Sequence, residues 1–187
     1  DFPFWHASIA KNTSHHLSEG EIIVNLDCDN FTGFRGGKHL IDIFENKDVL
    51  AVHQFCREEW FSGNYGRIAI RSETFEELGG YDESFHNMGY QDTDLINRLE
   101  KKFPNSLVIE KDPKYNRAIK NDKEKSIQNV PSELRKKGFF WMNKENENLS
   151  KKNINESKLL ANNGIYGIRE GVLYYNPELN SFSIITA

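Results

Sequence analysis

The stretch GEIIVNLDCDNFTG, residues 20–33, decides how this chain is read. Its EIIVNL run is rich in β-branched residues and reads as a short buried strand between a glycine and a polar turn. The strand ends in two aspartates one residue apart, Asp27 and Asp29. In an extended segment alternate side chains point the same way, so both carboxylates face one site while Cys28 faces away. Two like charges at the end of a buried strand repel each other and are costly to desolvate unless something shares them. A hard cation does so through oxygen coordination, and Mg2+ or Mn2+ usually reaches a protein through one or two carboxylates plus substrate phosphates. The carboxyl end of a strand in an open α/β sheet is also where ligands bind. A calcium loop of the EF-hand type fails on register. Counted from Asp27, the sixth residue is Thr32 where glycine is needed, and the twelfth is Lys38 where glutamate is needed. Taken alone, the pair also fits a turn built on Asp29 and Asn30.

Outward from this stretch the chain alternates strands and helices. Upstream, HASIAKNTSHHLSEG (6–20) spaces Ile9, Thr13 and Leu17 as a helix does, with Gly20 placed to end it. Downstream, KHLIDIFEN (38–46) predicts a helix, VLAVHQF (49–55) a strand and GRIAIRS (66–72) another. SETFEELGG (72–80) predicts a helix capped by Ser72 and stopped by glycine. QDTDLINRLEKKF (91–103) puts Leu95, Ile96, Leu99 and Phe103 on one stripe, and SLVIEKD (106–112) is a further strand. This order favours an α/β fold with an open sheet. From about residue 122 the chain becomes charged and helical in pieces, broken at Pro131, and 164–184 reads as a β-hairpin around NPELN.

The bulk numbers narrow the function. With 187 residues, 37% of them hydrophobic, the chain builds one ordinary globular core. A net charge of -4 with both signs mixed lacks the clustered basic excess of a nucleic-acid binder. No apolar run approaches the roughly 20 residues that span a bilayer. Cys28 and Cys56 make neither a disulfide framework nor a zinc signature, so a reducing cytoplasm is the expected compartment, with peripheral attachment at the membrane still open. A second acidic cluster, Asp92 and Asp94, opens the 91–103 helix after two glycine-rich turns. The helix dipole alone accounts for acids there. A carboxylate in such a pocket wall also serves as general base when a substrate hydroxyl comes within hydrogen-bond reach.

AKNTSHHLSEGEIIVNLDCDN (10–30) resembles the segment of GT-A-fold glycosyltransferases of the family 2 type that runs from a helix through a strand into a D-x-D motif. GNYGRIAIRSETFEELGGYDESFHNMGYQDTDLINRL (63–99) is similar to their acceptor-side segment, and GYQDTDLINRL also to the β-1,4-galactosyltransferase pattern W-G-G-E-D-D-D-I-F-N-R-L. The resemblance covers roughly residues 6–125. It implies a GT-A-like mixed sheet flanked by helices, spanning 1–121, with 122–187 as a helical extension and hairpin. It further implies a metal-dependent inverting transferase that moves a sugar from a nucleoside-diphosphate sugar, a UDP-sugar first among them, to a hydroxyl of a glycan, lipid or small-molecule acceptor. Asp29 would ligate Mn2+ or Mg2+ directly, with Asp27 nearer the ribose or a metal-bound water. Asp92 would be the base. Lys11, Asn12, Asp27 and Gly66 would hold the donor, and Gln91, Trp60 and Asp94 would line the acceptor side.

Two departures shape the expectations. Family members usually complete the metal site with a histidine after the acid-bearing helix, but all six histidines here precede Asp92. Asn121, or Asn116, would stand in through an amide oxygen. The family also places a nucleotide-binding βαβ half before the D-x-D strand, where this chain has 26 residues before Asp27. The expectation is the later part of a larger catalytic domain, or a sheet completed by another chain. The alternative function is a degenerate, non-catalytic module that holds a sugar or protein. A two-metal phosphohydrolase using the four aspartates is a weaker third.

Overall fold

A computed structural model describes residues 4–27, 30–55, 65–115, 117–119, 122–168, 172–176 and 181–185. Helix α1 (Ala7–His16) leads into strand β1 (Ile22–Asn25). A two-residue strand β2 (Asn30–Phe31), helix α2 (Gly36–Phe44) and strand β3 (Ala51–Gln54) follow. Next come β4 (Ile68–Arg71), α3 (Ser72–Glu77), α4 (Gln91–Lys102), β5 (Leu107–Glu110) and β6 (Arg117–Ala118). The central sheet has the order β1-β4-β3-β5. β4 runs antiparallel to both neighbours, and β3 pairs with β5 in parallel. β2 pairs with β6 to make a separate short ribbon. The mixed α/β sheet flanked by helices matches the expected fold class.

Period-two alternation explains why helices cover both faces of the sheet. Ile23, Ala51, Ile68 and Ile70 face α3 and α4 and pack with Phe75, Leu78, Tyr81, Leu95 and Leu99. Val52 and Ala69 point the other way, onto Leu40 and Phe44 of α2. The 91–103 stripe folds as its spacing predicts: Leu95, Ile96 and Leu99 are buried, and Phe103 is partly so. At α4 the acids of the first turn and Lys101 and Lys102 of the last turn both complement the helix dipole.

Three local expectations change. β1 was read as a buried strand, but it lies at the sheet edge, so Val24 stays 40% exposed and Leu26 43%. Ser72 does not cap α3. It is the first helical residue, and its hydroxyl donates to the Glu21 carbonyl at 3.3 Å, tying α3 to the start of β1. In α1 the stripe Ile9, Thr13, Leu17 is only half-buried, and the buried positions are Ala7, Ser8, Asn12 and His15. Asn12 tolerates that burial because partners distant in sequence satisfy its amide.

The second half of the chain packs onto this frame through three short or long helices, α5 (Lys123–Ser126), α6 (Ser132–Lys137) and α7 (Phe139–Asn155). Pro131 sits at the start of α6, where a proline break was expected. Ile127, Val130 and Met142 make a small core of their own. Strands β7 (Val172–Asn176) and β8 (Ser181–Ile185) pair antiparallel as the expected hairpin.

The loop 79–89, which delivers the chain into α4, is held from three directions by asparagines. Asn12 of α1 donates to the Tyr81 carbonyl at 2.8 Å and accepts from the Tyr81 N–H at 2.8 Å. Asn146 of α7 donates to the Gly89 carbonyl at 2.7 Å and accepts from the His86 N–H at 2.7 Å. Asn162 donates to the Gly79 and Tyr81 carbonyls and accepts from the Glu83 N–H. Gly79 and Gly80, both at φ 69°, take the left-handed backbone that turns the chain out of α3. A Cβ on Gly79 would lie 2.1 Å from the Ala161 carbonyl oxygen, so that approach also requires glycine.

His15 sits edge-on to Phe75 at 4.8 Å and stacks over Tyr81 at 6.0 Å. Burial, helped by the nearby Lys11 charge, pushes its pKa down to about 4. Between that value and the ordinary 6.5 the unfolded chain binds a proton that the folded chain refuses. Stability therefore falls as pH drops through this window and levels off below it. The loss due to His15 is expected to be about 3 kcal/mol between pH 7 and pH 4. Denaturant titrations across this range check it: His15→Leu should flatten that part of the curve.

Candidate active site

Register builds the site before any side chain is considered. Asn25 of β1 pairs with Ile68 of antiparallel β4, so extending the ladder two residues sets Asp27 across from Gly66. An added Cβ on Gly66 would fall 2.6 Å from Asp27 Oδ2, 3.1 Å from Lys11 Nζ and 3.3 Å from Asp92 Oδ2. Gly66 is thus the floor on which two carboxylates and an ammonium meet, and the lack of a side chain makes the meeting possible. Lys11, on α1, donates to Asp92 Oδ1 at 2.7 Å and lies 3.8 Å from Asp27 Oδ1. Asp92 arrives from the first turn of α4. Four of the residues named from sequence, Lys11, Asp27, Gly66 and Asp92, therefore border one cleft.

The ammonium lets like charges share this cleft. Burial alone would lower the Lys11 pKa, yet the charges of Asp92 and Asp27 and the hydrogen bond to Asp92 outweigh it, and the net displacement is upward. Lys11 stays charged. The exposures differ in a useful way: the Asp27 side chain is 38% exposed, those of Asp92 and Lys11 only 14% and 10%. Asp27 opens toward solvent, whereas Asp92 is held against its partner.

Supporting residues that the sequence reading missed complete the site. Asn25 donates to the Gly66 carbonyl at 2.7 Å and to Asp27 Oδ1 at 3.2 Å, fixing both. Its signal was present, since Asn25, Asp27 and Asp29 alternate with the period of a strand. Tyr81 is fully buried beneath Lys11, whose Nζ stands 5.2 Å from the ring centre. Burial, with the charges of Asp92 and Asp27, pushes the Tyr81 hydroxyl well above its ordinary pKa, so it remains neutral. His53, buried at the end of β3, donates Nε2–H to the Tyr65 carbonyl at 2.9 Å. Burial lowers its pKa despite that hydrogen bond and the opposing pull of Asp92.

Two expected contacts are corrected. Asn12 does not face a donor: it is fully buried and spends its amide on Tyr81 and Glu83 Oε1, so it shapes the loop before Asp92. Asp94 does not line an acceptor site. It is 1% exposed and bonded to Arg98 Nε at 2.7 Å, while Arg98 donates to the Leu78 and Gly80 carbonyls. Gln91, 7% exposed, offers little surface to a ligand. Asp29, Trp60, Asn116 and Asn121 lie outside the described residues.

Among the described residues no group of three or more His, Cys, Asp and Glu side chains is placed to hold a metal ion. The space between Asp27 and Asp92 already holds the Lys11 ammonium, so a divalent ion would meet Asp27 from its solvent-exposed side. No helix among the described residues is long and apolar enough to cross a membrane. In comparison with known proteins, the family model described as glycosyltransferase-like family 2 matches residues 26–125. No curated protein matches the chain.

Proposed function

This chain belongs to the glycosyltransferase-like family 2, and on that premise we propose that it is a metal-dependent, inverting transferase moving a sugar from a nucleoside-diphosphate sugar, a UDP-sugar first, to an acceptor hydroxyl. Membership implies a glycosyltransferase-type function with a nucleotide-sugar donor and an acceptor in general. The finer reading is supported above all by one observation: Lys11, Asp27 and Asp92, drawn from three distant elements, close on each other over Gly66.

Asp92 receives the proton of the acceptor hydroxyl as that oxygen attacks the anomeric carbon opposite the leaving diphosphate. One base suffices for a single in-line displacement, whereas two-step retention needs a nucleophile on the other face. The likeness of residues 89–99 to the galactosyltransferase segment supports the same role for Asp92. Lys11 offsets part of the charge of the two carboxylates and places a cation beside the donor phosphates. Asp27 and Asp29 would hold Mn2+ or Mg2+, which supplies Lewis-acid stabilisation of charge on the departing nucleoside diphosphate.

Calorimetric titration of UDP with and without Mn2+ tests this. Metal-dependent UDP binding that disappears in Asp29→Ala supports the transferase. A folded chain that binds neither supports a non-catalytic module, and metal-dependent release of phosphate from simple phosphoesters supports a phosphohydrolase. Gly66→Ala sharpens the test. The atoms its Cβ meets are the far ends of side chains, so the fold accommodates it and Tm should move only by a few degrees. The displaced carboxylates should weaken UDP binding about tenfold or more, or roughly 1.4 kcal/mol.

A further inference from the structure

Residues of β3, β5 and α4 and the adjoining loops border a half-open cavity of about 620 Å3, within the range of small-molecule sites. Two of its lining residues are chain neighbours of the cleft: Tyr65 precedes Gly66, and Thr93 follows Asp92. A third, His53, lies within the electrostatic reach of Asp92. The cavity thus runs along the same two chain segments that carry Gly66 and the proposed base.

The lining is chiefly apolar. Phe55, Tyr65, Ile96, Leu107, Ile109 and Pro113 supply most of it. Phe55 and Tyr65 lie 4.3 Å apart at 60°, and His53 stacks on Phe55 at 5.3 Å. The His53 Nε2–H is already spent on the Tyr65 carbonyl. Among the described residues, charge enters through Glu100 and Lys111, both exposed, and further polar groups through Thr93 and Asn97, both half-buried. A bare sugar, with a hydroxyl on nearly every carbon, would meet more apolar surface here than these few polar groups offset. An aromatic or branched aliphatic group would lose little and bury apolar area.

We infer that the acceptor presents its reacting hydroxyl from a molecule whose neighbouring part is an aromatic or branched aliphatic group, held in the cavity between β3, β5 and α4. The inference rests on the transferase reading for the word acceptor and on the cavity for the ligand class. Two probes carrying the same sugar, p-nitrophenyl β-glucoside and methyl β-glucoside, separate the two parts when titrated into the full chain with 13C-labelled isoleucine methyls. The aryl probe should bind about tenfold or more tightly than the methyl probe and shift the Ile96 and Ile109 methyl signals. Ile109→Asp, at a position 39% exposed and so tolerant of charge, should remove the preference. Equal binding of the probes, or shifts confined to other isoleucines, overturns the inference; the wild-type shifts decide this even if the variant fails to fold. UDP titrated into the same sample reads the other part. Aryl preference without UDP binding overturns the transferase reading and leaves an apolar ligand site.

Discussion

Asp92→Asn is expected to slow sugar transfer by a factor of about 10² to 10⁴, the usual worth of a positioned general base. The substitution is nearly isosteric and retains an oxygen that accepts from Lys11, now 2.7 Å from the native carboxylate. On the proposed mechanism, what it removes is the capacity to take a proton from the attacking hydroxyl. UDP binding should survive, because the ammonium, no longer facing a negative charge at position 92, is left to offset Asp27 and the donor phosphates. The measurement is transfer from a panel of nucleotide sugars, with UDP affinity by calorimetry and Tm recorded in parallel. Undiminished transfer by a folded Asp92→Asn variant would remove Asp92 from the mechanism. Equal loss of transfer and of UDP affinity would instead assign it a role in binding.

Asp94→Ala, one helical step on, is expected to act on stability. Arg98 and Asp94 are 2% and 1% exposed, and Arg98 makes one bond to Asp94 and two to backbone carbonyls at the end of α3. Removing the carboxylate leaves a guanidinium buried with no opposite charge beside it, at a cost of about 3–5 kcal/mol. For a chain of this size that lowers Tm by roughly 6–20 °C, readable by calorimetric melting. Replacing both members with Leu and Met should recover much of the loss, since a well-packed apolar pair avoids the desolvation of two ions. A drop in Tm below about 3 °C for Asp94→Ala would show that the pair contributes little.

The contrast between these neighbouring aspartates shows what the sequence could and could not convey. Both sit in the first turn of α4, and pattern alone made each a candidate for the cleft. Helical geometry sends Asp92 outward to Lys11 and Asp94 inward, where Arg98, four residues on, meets it. The grouping of Asp27, Gly66 and Asp92 was legible because each lies at a fixed offset from a strand or helix end. Asn25 was legible in principle from the same alternation. Asn12, His15 and Tyr81 were not. Their roles come from contacts across some seventy residues of chain, and polar burial in α1 defeats a rule that assigns the inner face to apolar side chains. The exposure of β1 also depends on which strand lies beside it, a fact of topology that no local window contains.

The three asparagines that hold loop 79–89 carry a practical corollary. Asn12, Asn146 and Asn162 all lie outside the 26–125 span that carries the family likeness, and so does Lys11. A piece trimmed to the homologous boundaries would keep both acids yet lose their counter-ion and these three amide clamps on the loop that leads into α4. Domain borders drawn by ancestry and borders drawn by mechanical support do not coincide in this protein. Anyone shortening it for crystallisation or assay should cut by the second.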